Sequence, residues 1–309
     1  SLFIKNEKNC KNCGSQNTKK NGKINGSQRY RCFDCLRSFI PSKSPSVEQL
    51  WYEYTQQKQT YRELAQKYAV SSKTIQRKLR QYHPKIHSQS PRDMVVLLDT
   101  TYWGRCLGVM LFKDAWSKEN LLKYYVTHET NELYIKGLEA LEQQGFRIKA
   151  VVCDGRKWLL KSLSRRYPVQ LCQYHQISAI RRYLAGKSKH PSHQELRLIA
   201  GLITHCTFKQ MDDFLTDWLR RWASYYNERG IHPDTGKSYY LHRRLRTAFR
   251  SLINNLDYLF TYQAYPLLNI PNTTNLLEGT FSHLKAKLAV HRGLSLSQKQ
   301  KIIDELLAI

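Results

Sequence analysis

The run Met94-Val-Val-Leu-Leu-Asp99 consists of five apolar residues followed by a carboxylate. A second run, Ile148-Lys-Ala-Val-Val-Cys-Asp154, has a similar form and is followed by Gly155. Short apolar runs without alternation are typical of strands that are buried on both faces of a sheet, as in α/β proteins. We therefore expect two central strands that each end in an aspartate.

The flanking segments predict the order of the other elements. Residues 107–112 and 121–127 have strand character, and residues 169–171 form a short final strand. Residues 131–144 and 156–167 have the periodicity of helices. Three consecutive strands followed by helix, strand, helix and strand match an α/β, RNase H-like fold with a mixed sheet. In this arrangement the strands that end in Asp99 and Asp154 are neighbours and run parallel.

A third acidic residue is expected because two hard divalent cations, roughly 3.5–4 Å apart, need several carboxylate ligands. Residues 274–289 predict an amphipathic helix with an apolar stripe of Leu277, Phe281, Leu284 and Leu288. Glu278 borders this stripe, and Lys285 follows on the same side, where it would meet a phosphate. The predicted ligands of two Mg²⁺ (or Mn²⁺) ions are Asp99, Asp154 and Glu278. Each of these acids alone is equally explained as a cap or a surface charge. The order of the three acids among the predicted strands and helices is what favours a metal site.

The motif Cys10-x-x-Cys13 is separated from Cys32-x-x-Cys35 by 18 residues. Four thiolates in two such pairs are typical of a zinc ribbon, here expected over residues 1–42. The Zn²⁺ is structural, because four cysteines leave no open position for catalysis. A redox pair or free thiols would be the other interpretation. One aromatic residue and several basic residues lie between the pairs: Tyr30, Lys19, Lys20, Lys23, Arg29 and Arg31.

Residues 45–83 predict a helix-turn-helix domain. Thr60-x-x-Glu63 is a capping box that starts its second helix, and a short turn over residues 69–71 precedes the third. With Ile75 and Leu79 facing inward, four polar residues face outward and could reach the major groove: Lys73, Gln76, Arg77 and Arg80. An ordinary helical hairpin with a solvated basic face is the alternative. The position directly after a zinc ribbon favours DNA binding.

The second and third acids are separated by residues 176–270, which predict an all-helical insertion. Its helices are expected at 195–205, 208–227 and 241–262, with several arginine pairs on their surfaces. Trp218 and Trp222 lie four residues apart, which fits a helical core better than a base-stacking surface. Residues 230–238 are expected to be a mobile polar loop. The catalytic core would comprise residues 92–175, and residues 271–309 would close it.

The composition indicates a polyanionic partner. Fifty Lys and Arg stand against 24 Asp and Glu, a formal net charge of +26, and residues 1–90 hold 18 basic and 5 acidic residues. Such an excess suits nucleic acid, DNA or RNA, because each neutralised phosphate releases counterions.

The sequence also favours a cytoplasmic protein. No run of 18 apolar residues is present, so no transmembrane helix or membrane partner is expected. Four of the eight cysteines are paired by spacing and four are scattered, which fits a reducing compartment. The N-terminus has no signal-peptide core and does not begin with Met, which is consistent with further residues upstream.

Several motifs together resemble the DDE transposases of bacterial insertion sequences, especially those akin to the eukaryotic Mutator-like group. The motifs are Leu98-Asp99-Thr-Thr101, Cys153-Asp154-Gly155, Cys172-Gln-Tyr-His175 and Asn275-Leu-Leu-Glu278-Gly279. The resemblance covers most of the chain. It implies that Asp99, Asp154 and Glu278 form the metal triad, that the insertion contacts transposon ends, and that a homodimer or higher oligomer pairs two ends. It also implies that the enzyme cleaves the ends and joins the 3′-hydroxyl to target DNA in a prokaryotic cytoplasm.

The roles of Cys172 and His175 stay open at this point. Two ligands are half of a metal site, which His190, His193, His205 or Cys206 would have to complete. Packing or hydrogen bonding in a core is the more common role of such a pair. A third possibility is that His175 contacts the scissile strand.

Two other functions compete with the transposase hypothesis. A non-catalytic, sequence-specific DNA-binding regulator would keep the zinc ribbon and the helices but would have no use for three acids. A nuclease for RNA–DNA hybrids or junctions would use the acids but has little need of a domain that reads sequence.

Overall fold

A computed structural model describes residues 9–40, 45–84, 86–87, 89–156, 158–185, 190–291 and 293–309. The two ends of the predicted zinc ribbon, residues 1–8 and 41–42, lie outside the described residues. The chain divides into two compact units. The first comprises Ser1–Lys85 with Leu284–Leu306, and the second comprises Ile86–His283 with Leu307–Ile309.

The first unit begins with a three-stranded antiparallel sheet in the order β1-β2-β3, formed by β1 (Thr18–Ile24), β2 (Ser27–Cys32) and β3 (Ser38–Phe39). Asn25 and Gly26 join β1 to β2 with φ values of 47° and 75°. A two-residue hairpin turn of this kind needs positive φ, which Asn-Gly adopts readily. Among the described residues of the ribbon, the buried core consists of Cys10, Cys32 and Phe39, with Tyr30 and Cys35 packed against it. Small cores of this kind are commonly reinforced by a metal or by disulfides.

Three helices follow, α1 (Val47–Thr55), α2 (Tyr61–Lys67) and α3 (Ser72–Arg80). The capping box at the start of α2 is present as predicted. The Glu63 N–H donates to Thr60 Oγ1, and the Thr60 N–H donates to the Glu63 carboxylate at 2.7 Å. Ile75 and Leu79 of α3 are buried, as predicted, together with Leu50 of α1 and Leu64 of α2.

The second unit is built on a mixed five-stranded sheet in the order β6-β5-β4-β7-β8. The strands are β4 (Asp93–Trp103), β5 (Leu107–Asp114), β6 (Asn120–Val126), β7 (Arg147–Cys153) and β8 (Val169–Leu171). Strand β5 is antiparallel to both of its neighbours, whereas β7 is parallel to both of its own. The expected mixed sheet is therefore present, with β4 at its centre.

The apolar run predicted that strand β4 ends at Asp99, but the strand continues to Trp103. Its pairing with β7 stops at Leu97, while its pairing with β5 continues as far as Trp103. The apolar run marks only the part of the strand that has neighbours on both sides. Beyond it, the antiparallel ladder extends the strand through more polar residues.

Helix α4 (Asn131–Gln143) lies between β6 and β7 in the chain, and α5 (Leu159–Leu163) lies between β7 and β8. Gly137 of α4 allows a close approach to the sheet, because a Cβ there would lie 2.0 Å from Phe112 Cζ. Helix α5 is shorter than the predicted 156–167. Trp158 has φ of 69°, and this left-handed conformation stops the helix from starting earlier.

Five further helices form most of the segment between the second and third acids: α6 (Gln173–Tyr183), α7 (Pro191–Gly201), α8 (Phe208–Asn227), α9 (Arg243–Leu259) and α10 (Thr261–Ala264). Trp218 of α8 is fully buried, and its Nε1 donates to the Ser192 carbonyl at 3.0 Å. Nε1 of Trp222 donates to the Glu195 carboxylate at 2.7 Å. Both tryptophans are thus bonded within this segment, as their spacing predicted.

The prediction that residues 176–270 are all-helical is wrong. Strands β9 (Arg229–Ile231) and β10 (Ser238–Tyr240) form an antiparallel hairpin where a loop was expected. The guanidinium of Arg246 lies 4.1 Å from the centre of the Tyr226 ring and 3.5 Å from that of Tyr240. Strands of three residues are too short to show alternation in sequence, and these cation–π contacts join residues that are distant in the chain.

Helix α11 (Asn275–Ala289) and helix α12 (Leu296–Leu307) complete the chain. Residues 275–283 group with the second unit, whereas 284–306 group with the first. The predicted core-closing segment 271–309 is therefore divided between the units. Within the first unit, hydrogen bonds attach residues 284–306 to the ends of α1 and α3: Lys287 Nζ to the Gln56 carbonyl (2.7 Å), Lys301 Nζ to the Arg80 carbonyl (2.8 Å) and Tyr82 Oη to the Glu305 carboxylate (3.0 Å).

Candidate functional site

Asp99 and Asp154 occupy aligned positions on neighbouring parallel strands. Leu97 of β4 pairs with Val152 of β7, and each aspartate lies two residues beyond its member of this pair. Alternate residues of a strand project from the same face of a sheet. The register therefore brings the first two predicted acids together at the carboxyl end of β7.

Both carboxyl groups have raised pKa values. Burial raises the pKa of Asp99 to about 6, and the carboxylates of Asp154 and Glu129 add to this, whereas His175 and the Thr100 N–H oppose it. Burial is also the main cause that raises the pKa of Asp154, with Glu129 adding and His175 opposing. Desolvated neighbouring acids resist ionisation unless a cation compensates them. This is the electrostatic environment expected of carboxylates that bind a metal.

One oxygen of Asp99 has a backbone partner. The Thr100 N–H donates to Oδ1 of Asp99 at 2.7 Å. This bond holds one oxygen of the carboxylate against the backbone of β4.

Glu278 lies in the first turn of α11, and its Oε1 is 3.9 Å from Nε2 of His175. Its side chain is 37% exposed and that of His175 is 35% exposed, so both are accessible to a ligand. The chain just before α11 is held by Cys172, whose Sγ accepts from Thr274 N–H at 3.4 Å and from Thr274 Oγ1 at 3.3 Å. The start of α11 is thereby tied to the start of α6.

His175 is coupled electrostatically to the acids. Its pKa is raised to about 9, chiefly by its interaction with the Cys172 side chain and further by Asp99 and Asp154, although burial opposes the shift. Burial raises the pKa of Cys172, but the interactions with His175 and Thr274 outweigh it, and the net shift is downward. An imidazolium at neutral pH therefore lies beside the acids.

The structure does not group Cys172 and His175 with further metal ligands. Within the described ranges, the only set of three or more His, Cys, Asp or Glu residues whose ligand atoms lie within 4.8 Å of one another is the cysteine set of the ribbon. His190 instead shares a hydrogen bond with Ser192 Oγ at 2.7 Å and stacks on Tyr225. Cys172 hydrogen-bonds to Thr274, which agrees with the hydrogen-bonding interpretation of this cysteine. The three acids also lie outside any such tight set: Glu278 is 3.9 Å from His175, and His175 interacts electrostatically with Asp99 and Asp154.

A hydrogen-bonded chain that the sequence did not indicate links the residues next to the two aspartates. Thr100 Oγ1 bonds to Tyr134 Oη at 2.7 Å, and Tyr134 Oη donates to the Glu129 carboxylate at 2.9 Å. Arg156 completes the chain with an ion pair to Glu129 at 3.0 Å. No motif marks Glu129, because its partners Tyr134 of α4 and Arg156 of the loop after β7 come from separate parts of the chain.

The four cysteines of the ribbon are suited to a structural zinc. The Sγ atoms of Cys10 and Cys35 are 3.5 Å apart, and those of Cys13 and Cys32 are 3.6 Å apart. Four sulfurs about 2.3 Å from a tetrahedral zinc are separated by ~3.8 Å. The backbone N–H groups of Cys13 and Asn12 lower the pKa of Cys10 to about 6 against the effect of desolvation, which favours the thiolate. The geometry and the donor set thus fit one Zn²⁺.

The residues predicted to contact DNA lie on two helices. Lys73, Arg77 and Arg80 are exposed on α3, and Gln76 is half-buried. Lys285 is exposed in the part of α11 that groups with the first unit. Among the described residues, no helix combines the length and the hydrophobicity needed to span a bilayer.

Comparisons with known proteins identify no family. No protein-family model matches the chain. No curated protein matches it. The chain is similar to a chain of the cryo-EM structure of the simian T-cell lymphotropic virus intasome in complex with the PP2A regulatory subunit B56 gamma, at 11% identity over 64% of this chain and 74% of that chain, with a TM-score of 0.22. A TM-score this low supports no conclusion about shared fold or activity, so inferences about function rest on the residues of this chain.

Proposed function

We propose that the chain is a DDE-type DNA transposase that cleaves the ends of its element and joins them to target DNA. The observation that carries this proposal is the alignment of Asp99 and Asp154 on adjacent parallel strands, with Glu278 beside the same imidazole. The strand order β6-β5-β4-β7-β8, in which three antiparallel strands precede two parallel ones, supports an RNase H-like fold for the core. The zinc ribbon, the three helices after it and the net charge of +26 support DNA as the partner.

The three acids would hold Mg²⁺ or Mn²⁺, because carboxylate oxygens are the ligands that these hard ions prefer. When bound, two such ions activate the attacking oxygen and stabilise the leaving oxygen of a phosphodiester. The Thr100 N–H holds Oδ1 of Asp99, and Oδ2 would contact the ion. His175, which lies beside Glu278, would contact a phosphate oxygen of the scissile strand.

Two displacements at phosphorus account for the reaction. In the first, a water oxygen bonds to the scissile phosphorus and the bond to the 3′-oxygen breaks, which leaves a 3′-hydroxyl on the element and a 5′-phosphate on the flank. In the second, this 3′-oxygen bonds to a target phosphorus and the target 3′-oxygen leaves as a hydroxyl. Each step exchanges one P–O bond for another, so no covalent protein intermediate is needed. Both ends must be held together, which requires a dimer or a higher oligomer.

The first test is Mg²⁺-dependent cleavage of a supercoiled plasmid that carries the DNA ends flanking this gene. Wild type is compared with Glu278→Gln and with Glu139→Gln, which neutralises an exposed carboxylate on α4 that pairs with Arg166. We expect wild type and Glu139→Gln to nick at the ends and to join them to target DNA, whereas Glu278→Gln binds the ends without cutting. Binding without cleavage by the wild type would instead identify a regulator, and cleavage without strand joining would identify a nuclease.

A further inference from the structure

Three buried glutamines recur at every third position from β8 into α6, and each contacts α9. Nε2 of Gln170 and Nε2 of Gln173 both donate to the Leu259 carbonyl of α9 at 2.9 Å. Gln176 donates to Ser251 Oγ and accepts from Asn255 Nδ2, both at 3.0 Å. The exposed fractions of the three glutamines are 0%, 0% and 3%. Buried amides are tolerated only where they are bonded in this way, and a satisfied network of this kind is rigid.

Gln173 differs from the other two because it also holds the chain that leads into α11. Its backbone N–H donates to the Asn272 carbonyl at 2.9 Å, and Asn272 Nδ2 donates to its Oε1 at 2.8 Å. The residue before it, Cys172, accepts both the N–H and the Oγ1 of Thr274. Two consecutive residues at the start of α6 thus make four hydrogen bonds to residues 272–274. Thr274 is completely buried, so water does not compete for these bonds.

Thr274 in turn fixes the position of the first turn of α11, which contains Glu278. The N–H groups of Leu277 and Glu278 donate to the Thr274 carbonyl at 2.8 Å and 3.2 Å, which makes Thr274 the anchor of the first turn of α11. Any displacement of residues 272–274 therefore moves the carboxylate of Glu278. Because one amide of Gln173 reaches both Asn272 and Leu259, the same displacement is linked to the end of α9.

We infer that Cys172 and Gln173 are positioning residues for the third carboxylate, and that Gln173 couples its position to the insertion. This inference rests on the proposed function in one respect, namely that Glu278 is a metal ligand. Side chains that hold a metal ligand in place without touching the metal typically change metal affinity by about 10–100-fold when they are removed. Sequence spacing suggested that Cys172 belongs with His175, but the contacts assign it equally to Thr274.

The test compares four variants. Cys172→Ala removes both bonds to Thr274. Gln173→Ala removes the side-chain bonds to Asn272 and to Leu259 and leaves the backbone bond to the Asn272 carbonyl. Cys172→Ser keeps an acceptor for Thr274. Gln176→Ala is the matched control, because it removes an equally buried amide of α6 that contacts α9 but not residues 272–274. Two measurements are made on the full chain: amide hydrogen exchange over residues 272–280, and Mn²⁺ binding followed by electron paramagnetic resonance.

We expect Cys172→Ala and Gln173→Ala to speed exchange over residues 272–280 and to weaken Mn²⁺ binding by about 10–100-fold. Cys172→Ser and Gln176→Ala should resemble wild type in both measurements. The inference is overturned if Gln176→Ala changes exchange and Mn²⁺ binding as much as Gln173→Ala does, since loss of packing alone would then explain both. It is also overturned if Cys172→Ala leaves the exchange of residues 272–280 unchanged. Should Gln173→Ala not fold, the two cysteine variants decide the question.

Failure of the proposed function is distinguishable from failure of this inference. If wild type and Asp99→Asn bind Mn²⁺ equally, the acids are not a metal site and the proposed function fails. The exchange data then still show whether Cys172 and Gln173 fix the start of α11.

Discussion

His175 and Glu278 belong to helices that the insertion separates, yet Nε2 of His175 lies 3.9 Å from Oε1 of Glu278. The same imidazole lowers the pKa of Asp99 and of Asp154. His175 therefore lies where it can act as a counter-ion of the acids. A divalent cation bound there would compete with the imidazolium, and its binding would be linked to the protonation of His175.

Replacing His175 should shift the midpoint of the pH dependence of metal binding to a higher pH. His175→Gln removes the positive charge that lowers the pKa of Asp99, so this carboxyl should ionise at a higher pH than its present value of about 6. Mn²⁺ binding as a function of pH measures the change, with His283→Gln on the exposed face of α11 as the control. An unchanged midpoint in His175→Gln would show that the two groups are not coupled.

The stability of the metal-free second unit should fall as pH rises from about 4 to about 6. The ordinary pKa of an aspartate is 3.8, and burial raises the pKa of Asp99 in the folded protein to about 6. In this window the native state binds more protons than the unfolded state, so the stability contributed by the protonated group is lost as pH rises through the folded pKa. Thermal unfolding at several pH values measures the effect. Asp99→Asn should remove this decrease of stability with rising pH. If the stability of the variant depends on pH as that of wild type does, the decrease is not caused by Asp99.

The ribbon should hold one zinc per chain. Cys32→Ser removes a buried ligand, and the remaining three sulfurs leave a site that competes poorly for the ion. We expect zinc content, measured by elemental analysis, to fall from one equivalent toward zero. Cys106→Ser is the control, since Cys106 is exposed and lies outside the cysteine set. Full zinc content in Cys32→Ser would rule out the four-cysteine site.

Gly137→Ala should destabilise the second unit by about 1–3 kcal/mol. The added Cβ would lie 2.0 Å from Phe112 Cζ, which forces either α4 or the ring to move. Gly201→Ala at the end of α7 meets no atom within 4 Å and should be neutral or stabilising by up to ~1 kcal/mol. Denaturant unfolding compares the two substitutions. Equal effects would show that the contact between α4 and Phe112 is not tight.

Arg77→Ala should weaken binding to the element's ends. If the exposed Arg77 reads a base edge, its loss should cost about 1–3 kcal/mol of discrimination between sequences. If it contacts a phosphate, its loss should weaken binding to all sequences and lower the salt dependence by about one counterion. Titrations of end DNA and of scrambled DNA at several salt concentrations separate these cases. Arg62→Ala removes an equal charge from the exposed face of α2 and serves as the control. Equal losses in both variants would indicate attraction by net charge alone.

Local patterns predicted the parts of the fold and site that local interactions determine. The apolar runs before Asp99 and Asp154 indicated both central strands, and the spacing of the cysteine pairs indicated the cluster around Cys10 and Cys32. These signals are contained within a few residues, so a single sequence displays them.

Features that depend on distant partners were not predicted. The hairpin of β9 and β10 is stabilised by Arg246 from α9, and Glu129 is placed by Tyr134 and Arg156. The division of α11 between the two units follows from bonds such as that of Lys287 to Gln56. None of these contacts leaves a periodic or spaced motif, because each joins side chains from separate elements.

The continuation of β4 beyond Asp99 distinguishes this acid from the other two. Asp99 and the residues before and after it pair with β5, whereas Asp154 follows the last residue of β7 and Glu278 lies in the first turn of a helix. The sheet itself therefore sets the position of Asp99, and any adjustment among the three carboxylates would fall to the loop after β7 and to α11.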